Sequence, residues 1–343
     1  MRLLIIVPAQ DRATGNWVTA KRLQRGLGSL GHTVMLDETA GDAERLRSLV
    51  TTADPDLVLL LHAWRSGRPW LESGVRLPFA VLLTGTDVNL GMHDPTQAPV
   101  IATTLRRAAA ILSQNPLTAE QLCREQPQLA GRIHYLPPGI TFGNAPFPLR
   151  ERLKSAAEEW LCLCPAGIRP VKGVLELIGM CAPLVREDRP LRLAFCGPIL
   201  DAGYGQRFLA EVAAHPWVSY LGIVPPDAMP AALCQADVVI SNSASEGLPN
   251  ALVEATALGR PVIARAIPGN AAVIADRVNG LLYHDEDSFH EAMRQLQDDR
   301  ELHAALSHRD PERFAPEREA ATLESLCCEI LSSDPAHRQL RHI

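Results

Sequence analysis

The sequence predicts an α/β protein of two open domains, each a parallel sheet with helices on both faces. Three observations predict it. The chain has 343 residues, and an ordinary domain takes about 100–200. Its short apolar runs are uniform rather than alternating, as in Leu57–Leu61, which is the pattern of strands covered on both faces. Such runs recur in both halves, separated by helix-length segments, as parallel strands with crossover helices require.

The elements follow in order. Leu3–Val7 reads as the first strand; its five apolar residues end at Pro8, too short a run for a secretory leader. A turn at Thr14–Asn16 leads to a helix over Thr19–Leu30, stopped by Gly31. Further strands read at Thr33–Leu36, Leu57–Leu61, Phe79–Leu83, Ala109–Leu112 and Ile133–Leu136. Pro146 and Pro148 interrupt regular structure and place the domain boundary within Ala145–Ser155, giving domains 1–150 and 151–315. The second half repeats the grammar, with strands at Leu161–Cys164, Arg192–Cys196, Val218–Leu221, Val238–Ser241 and Pro261–Ala264. Its helices read at Val174–Val185, Gly205–Ala214, Pro226–Gln235 and Pro249–Leu258. A last helix, 316–335, is expected to pack back on the first domain, followed by a basic, frayed tail at His337–Ile343. Two such sheets suggest a cleft lined by strand C-terminal ends.

Composition excludes several functions. A net charge of −6 speaks against a nucleic-acid partner, which needs a basic surface. No stretch approaches the roughly 18 apolar residues of a membrane span, so no transmembrane segment is expected and the default location is the cytoplasm. None of the eight cysteines stands at zinc-like spacing; they read as buried apolar residues in a reducing compartment.

The chemistry concentrates in Ser245–Gly259. The strand Val238–Ser241 ends in small polar residues, Pro249 suits a first helical turn, and Asn250 onward continues a helix. The N-terminus of that helix is a ready anion site, suited to a nucleoside diphosphate. Glu246 precedes it and Glu254 follows eight residues on, within reach of ribose hydroxyls as a double acceptor. Two such glutamates are common by chance; the surrounding Ser-Glu-Gly-Leu-Pro and Gly-Arg-Pro-Val-Ile-Ala words make the segment specific.

The stretch resembles the Glu-x7-Glu donor site of family-4-type retaining glycosyltransferases of GT-B fold, which consist of two Rossmann-like domains. The resemblance implies that Glu246 lies near the transferred sugar and Glu254 binds ribose. It implies that Gly247, Leu248 and Asn250 contact the donor, and that Ile223 of Gly222–Pro225 sits near the base. Arg169 and Lys172, following Leu161–Cys164, would neutralise the leaving diphosphate. The family spaces that pair as Arg-x4-Lys; here only two residues intervene. With those cations the chemistry calls for no metal and no cofactor beyond the nucleotide-sugar co-substrate. Asp54-Pro55-Asp56 and Asp285-Glu286-Asp287 have a metal-dependent spelling but read as solvated charges.

The first half carries distinctive words: Thr14–Ala20, Leu61–Gly67 and Thr84–Asn89, joined by Ala266–Val273 in the second. Together they resemble the vertebrate glycosyltransferase 1 domain-containing protein 1 family, from Arg2 to Tyr283, including the shortened Arg-x2-Lys spacing. Part of the chain is also similar to bacterial selenosugar synthases. Gly15 could approach donor phosphates or the acceptor, although one glycine is no fingerprint. Asn16 caps a helix or binds a ligand; His62 is a satisfied structural residue or an acceptor contact. Thr86 belongs to the acceptor word, and Asp87 caps a helix, braces its loop or binds an acceptor hydroxyl. Where many family-4-type enzymes have His before Gly-Thr-Asp, this chain has Thr84.

The reading is a retaining hexosyltransferase, using a nucleotide-sugar, UDP-linked as the family's commonest choice, and a small-molecule or glycan acceptor. Its rivals are a selenosugar or thiosugar synthase with a small anionic acceptor such as selenophosphate, and a non-catalytic nucleotide-sugar binder.

Overall fold

The computed structural model describes residues 1–9, 15–39, 41–156, 158–310 and 312–333. Thr14, the tail His337–Ile343 and the last two residues of the expected 316–335 helix lie outside them. The chain divides into two compact units, Met1–Thr141 with Phe314–Ile343, and Phe142–Arg313.

The first unit is built on six parallel strands: β1 Arg2–Pro8, β2 Thr33–Thr39, β3 Leu57–Leu61, β4 Phe79–Leu83, β5 Ala110–Ser113 and β6 Ile133–Tyr135. Their order is β2-β1-β3-β4-β5-β6, so the winding reverses between β1 and β3. Alternate residues serve opposite faces. Leu3, Ile5, Leu57 and Leu59 join Leu23, Leu27, Leu323 and Cys327 on one side. Leu4, Ile6, Val58 and Leu60 join Leu46, Trp70, Leu105 and Leu122 on the other. Both faces are dry, and this is why the strands read as unbroken apolar runs. The helix Pro316–Ser333 completes the first of these cores over the helix Gly15–Ser29.

The second unit repeats the plan with β7 Trp160–Pro165, β8 Leu191–Cys196, β9 Val218–Tyr220, β10 Val238–Ser241, β11 Val262–Arg265 and β12 Leu281–Tyr283. The order is β12-β11-β10-β7-β8-β9, all parallel. Its core sets Cys162, Cys164, Leu193, Phe195, Val238 and Ile263 against Phe208, Phe289 and Met293. All eight cysteines are free; burial pushes the Cys164 thiol up to about 12, so it packs as an inert apolar group. Among the described residues no helix is long and apolar enough to cross a membrane.

Some elements differ from the sequence expectation. The first helix begins at Gly15, not Thr19. The expected helix Pro226–Gln235 is only Met229–Leu233, because Ala228 N and Met229 N both donate to Pro225 O at 2.9 and 3.0 Å in a tight turn. Leu281–Tyr283 is a buried edge strand that its three-residue run did not announce. The two Asp-x-Asp words lie at the surface, as solvated charges do, and each also has a local role: Asp54, 76% exposed, and Asp56 both bond Arg2, and exposed Asp285 forms a capping box at the helix Glu286–Asp298.

Candidate functional site

In the second unit the winding reverses between β7 and β10, which pair directly through Val238 with Cys162 and Val239 with Leu163. Chains leaving the C-terminal ends of such strands diverge and open a crevice for ligands. From β7 comes Ala166–Arg169 and a one-turn 3-10 helix, Pro170–Lys172. From β10 comes Asn242–Pro249 and then the helix Asn250–Ala257. The two excursions are stitched together by Ala244 N donating to Val171 O at 2.8 Å.

Here the structure brings Lys172 and Glu246 together. The Lys172 ammonium donates to Glu246 Oε1 in an ion pair whose side chains are only 17% and 13% exposed, so solvent screens it incompletely. Arg169 opens the same turn, with Lys172 N donating to its carbonyl at 3.0 Å. Its Nε is buried with no hydrogen-bond partner. A buried guanidinium donor without an acceptor is costly, and it suits an anion that the protein itself does not supply.

Gly247 and Leu248 are half-buried and lead into the helix, where Asn250 takes the first position and half-buried Glu254 the fifth. Ile223 is 49% exposed and follows the edge strand β9, two strands from β7. Its loop is tied to the one after β8 by Gly197 N donating to Gly222 O at 2.8 Å.

Two supports were missed by sequence reasoning. A Cβ on Gly269 would lie 2.5 Å from Glu246 O and 2.6 Å from its Cβ, so only glycine lets the loop after β11 close on Glu246. The Ala266–Val273 word contained this glycine, but nothing in one sequence says what it faces. Asn242, 4% exposed, bonds the carbonyl of Gly173, directly after Lys172.

In the first unit, β1 and β3 flank the reversal. Gly15 and Asn16 form the first turn of their helix. His62 directly follows β3 in the left-handed region, φ 77°, and is 2% exposed. Its Nδ1 accepts from Trp64 N and Arg65 N, both at 3.2 Å. The ring proton therefore sits on Nε2, which faces Thr86 Oγ1 at 3.2 Å, leaving the Thr86 hydroxyl to donate elsewhere. Burial lowers the His62 pKa, with the Asp87 charge opposing and Arg65 reinforcing. Asp87 is fully buried; Oδ2 accepts from Ala63 N at 2.8 Å, and Oδ1 from Thr84 N and Val88 N at 3.1 Å. These three bonds fill the loop-brace reading of Asp87.

A stability signature follows. The native state holds His62 neutral, whereas the unfolded chain binds a proton near pH 6.5. The lowered pKa contributes stability that is complete above about pH 6.5 and lost as pH falls toward the folded value. Asn tolerates the left-handed region, so His62→Asn should flatten the decline of melting temperature between pH 6.5 and 5, checked by calorimetry. An unchanged slope would mean that His62 titrates normally.

Two six-stranded parallel sheets, each flanked by helices and each reversing beside its third-ranked strand, define a GT-B protein. Solved structures of that fold agree. The chain superposes on sucrose-phosphate synthase from Thermosynechococcus elongatus with a TM-score of 0.82 at 17% identity, covering 97% of this chain and 100% of that one. It superposes on HepE of Anabaena in complex with UDP and glucose with a TM-score of 0.77 at 17% identity, covering 96% and 100%. Residues 148–313, nearly the whole of the second unit, match the model of glycosyl transferases group 1. Along the length of the chain it is similar to glycosyltransferase 1 domain-containing protein 1 of Xenopus tropicalis, 27% identical over 299 residues, 84% of this chain and 86% of that one. A D-inositol 3-phosphate glycosyltransferase of Corynebacterium urealyticum is 30% identical over 157 residues, covering 43% of this chain and 37% of that one.

Proposed function

We propose that the chain transfers a hexosyl group from a nucleoside diphosphate donor, a UDP-sugar, to a small-molecule or glycan acceptor with retention at the anomeric carbon. The observation that carries this reading is the Lys172–Glu246 ion pair together with the orphaned Nε of Arg169, three residues before Lys172, at the strand reversal of a unit that matches the model of glycosyl transferases group 1. HepE, which shares the fold, holds UDP and UDP-glucose.

In this reading, the bond from the anomeric carbon to the diphosphate oxygen breaks, and the electron pair stays on the diphosphate. Arg169, Lys172 and the N-terminus of the helix Asn250–Ala257 stabilise that charge, which is usually the largest catalytic contribution. Two fixed cations supply what a metal otherwise would, so transfer proceeds without one. Glu246 orients the sugar and supports positive charge at its anomeric carbon. Gly247, Leu248 and Asn250 contact sugar and phosphate oxygens, Glu254 accepts from the ribose hydroxyls, and Ile223 lies against the base. Asn16 and Thr86 serve the acceptor side, with His62 and Asp87 setting the Thr86 loop. Since both His62 nitrogens are engaged, the acceptor proton goes to the departing diphosphate.

A nucleotide panel tests this. UDP at about one hundred times its dissociation constant should stabilise the protein by about 2.7 kcal/mol, read as a thermal shift in the presence of EDTA. UDP-glucose and other UDP-sugars should release UDP slowly in the same buffer. Binding without any turnover, on any acceptor, selects a nucleotide-sugar binder. A selenosugar from selenophosphate selects the anionic-acceptor chemistry.

A further inference from the structure

We propose that Asn242 and Tyr283 are positioning residues that set where the Lys172 ammonium sits; this rests on the donor-site reading above.

Asn242 heads the loop that leaves β10. Its Nδ2 donates to Gly173 O at 2.8 Å, and its Oδ1 accepts from Tyr283 Oη at 2.5 Å. Tyr283 is the last residue of β12, two strands away, and is 1% exposed. Burial raises its phenol well above the ordinary value, so it remains a donor at every working pH. That donor fixes the amide orientation: flipping it would set Oδ1 against the Gly173 carbonyl, two acceptors face to face.

The pair acts on the Lys172 turn and not on the sheet. Gly173 has φ 59°, and a Cβ there would fall 2.7 Å from Asn242 O and 2.8 Å from its Nδ2, so Asn242 lies directly on the turn. On the other side Val171 O is held by Ala244 N at 2.8 Å. Lys172 is thus flanked by two peptides, each tied to the segment that carries Glu246. A buried Asn–Tyr pair can serve stability alone; here its bonds end on the peptide next to the proposed phosphate-binding cation.

A double-mutant cycle on the full chain, read by calorimetric titration with UDP, separates the two roles. Tyr283→Phe keeps the ring and removes the hydroxyl. It should weaken UDP binding by about threefold to tenfold, as loss of one buried hydrogen bond allows, and should cause no further loss once Lys172→Ala is present. Asn242→Asp, which places a carboxylate against Gly173 O, should weaken UDP at least as much and show the same non-additivity. UDP affinity equal to wild type in both variants, or losses as large in the Lys172→Ala background, would overturn the proposal while leaving the donor reading intact. Wild-type protein that binds none of UDP, GDP and ADP would overturn both.

Discussion

Glu246→Gln should lower UDP release from a UDP-sugar by about 10²–10³-fold, the range for removing one preorganised charge-stabilising group. UDP affinity should hold or rise. The opposite signs come from the ion pair. Lys172 and Glu246 hold each other. Neutralising the glutamate takes away a competitor for the ammonium, and phosphate oxygens gain what the carboxylate gives up. Turnover falls because the negative charge beside the anomeric carbon is gone while shape is kept. Lys172→Met makes the converse case: UDP binding weakens and loses much of its salt dependence, since one of the cations meeting the diphosphate has been removed. Steady-state UDP release and titration calorimetry, run side by side on both variants, check the pattern. Near-full turnover of Glu246→Gln, or loss of UDP affinity equal to that of Lys172→Met, would remove Glu246 from the role proposed for it.

The sheets were legible because each strand is covered on both faces. Leu57–Leu61 and Val238–Ile240 are buried at every position, so their composition alone declares them. Leu281–Tyr283 is as buried in part, but its apolar run stops after three residues between Gly280 and His284, one short of the four-residue words that announced β6 and β9. The same distinction governs the candidate site. Glu246 and the helix after it stand within one continuous word, so the chemistry could be read along the chain. Asn242 and Gly269 lie within a few dozen residues of Glu246 and went unremarked, because their meaning is a contact. Gly269 is required by the Glu246 backbone it touches, and Asn242 by a carbonyl 69 residues earlier. His62 shows an intermediate case. Its place at a strand end was plain, but two backbone donors on Nδ1 decide its tautomer, and only the folded loop brings them there. Thr86, an unremarkable hydroxyl in sequence, takes its donor role from that tautomer.

The largest stability effect is expected at Glu319, which no motif marks. Its carboxylate is 2% exposed and faces Arg22, 10% exposed. Arg22 Nε donates to Oε2 at 2.7 Å and Nη2 to Oε1 at 2.9 Å, a two-pronged pair, and Gln114 Nε2 donates to Oε1 at 2.5 Å. The cluster joins the helices Gly15–Ser29 and Pro316–Ser333 to the end of β5. Removing one partner leaves the other charge buried and uncompensated, so Glu319→Ala or Arg22→Ala should cost about 3–5 kcal/mol. The pair as a whole is a different quantity: its attraction is set against the desolvation of both ions. Arg22→Met combined with Glu319→Leu fills similar volume with no charge, and should recover most of the loss, leaving the double variant within about 1–2 kcal/mol of wild type. Urea unfolding should show this in the transition of the first unit, since two units need not melt together. Single variants costing under about 1 kcal/mol would mean that water reaches the pair and that it behaves as a surface bridge. A double variant as unstable as the singles would instead place the energy in the exact hydrogen-bond geometry, with Gln114 left to satisfy. In the expected outcome, Glu319 matters because a lone charge cannot be tolerated there, and the C-terminal helix is held in register by the penalty for separating the pair more than by the strength of its attraction.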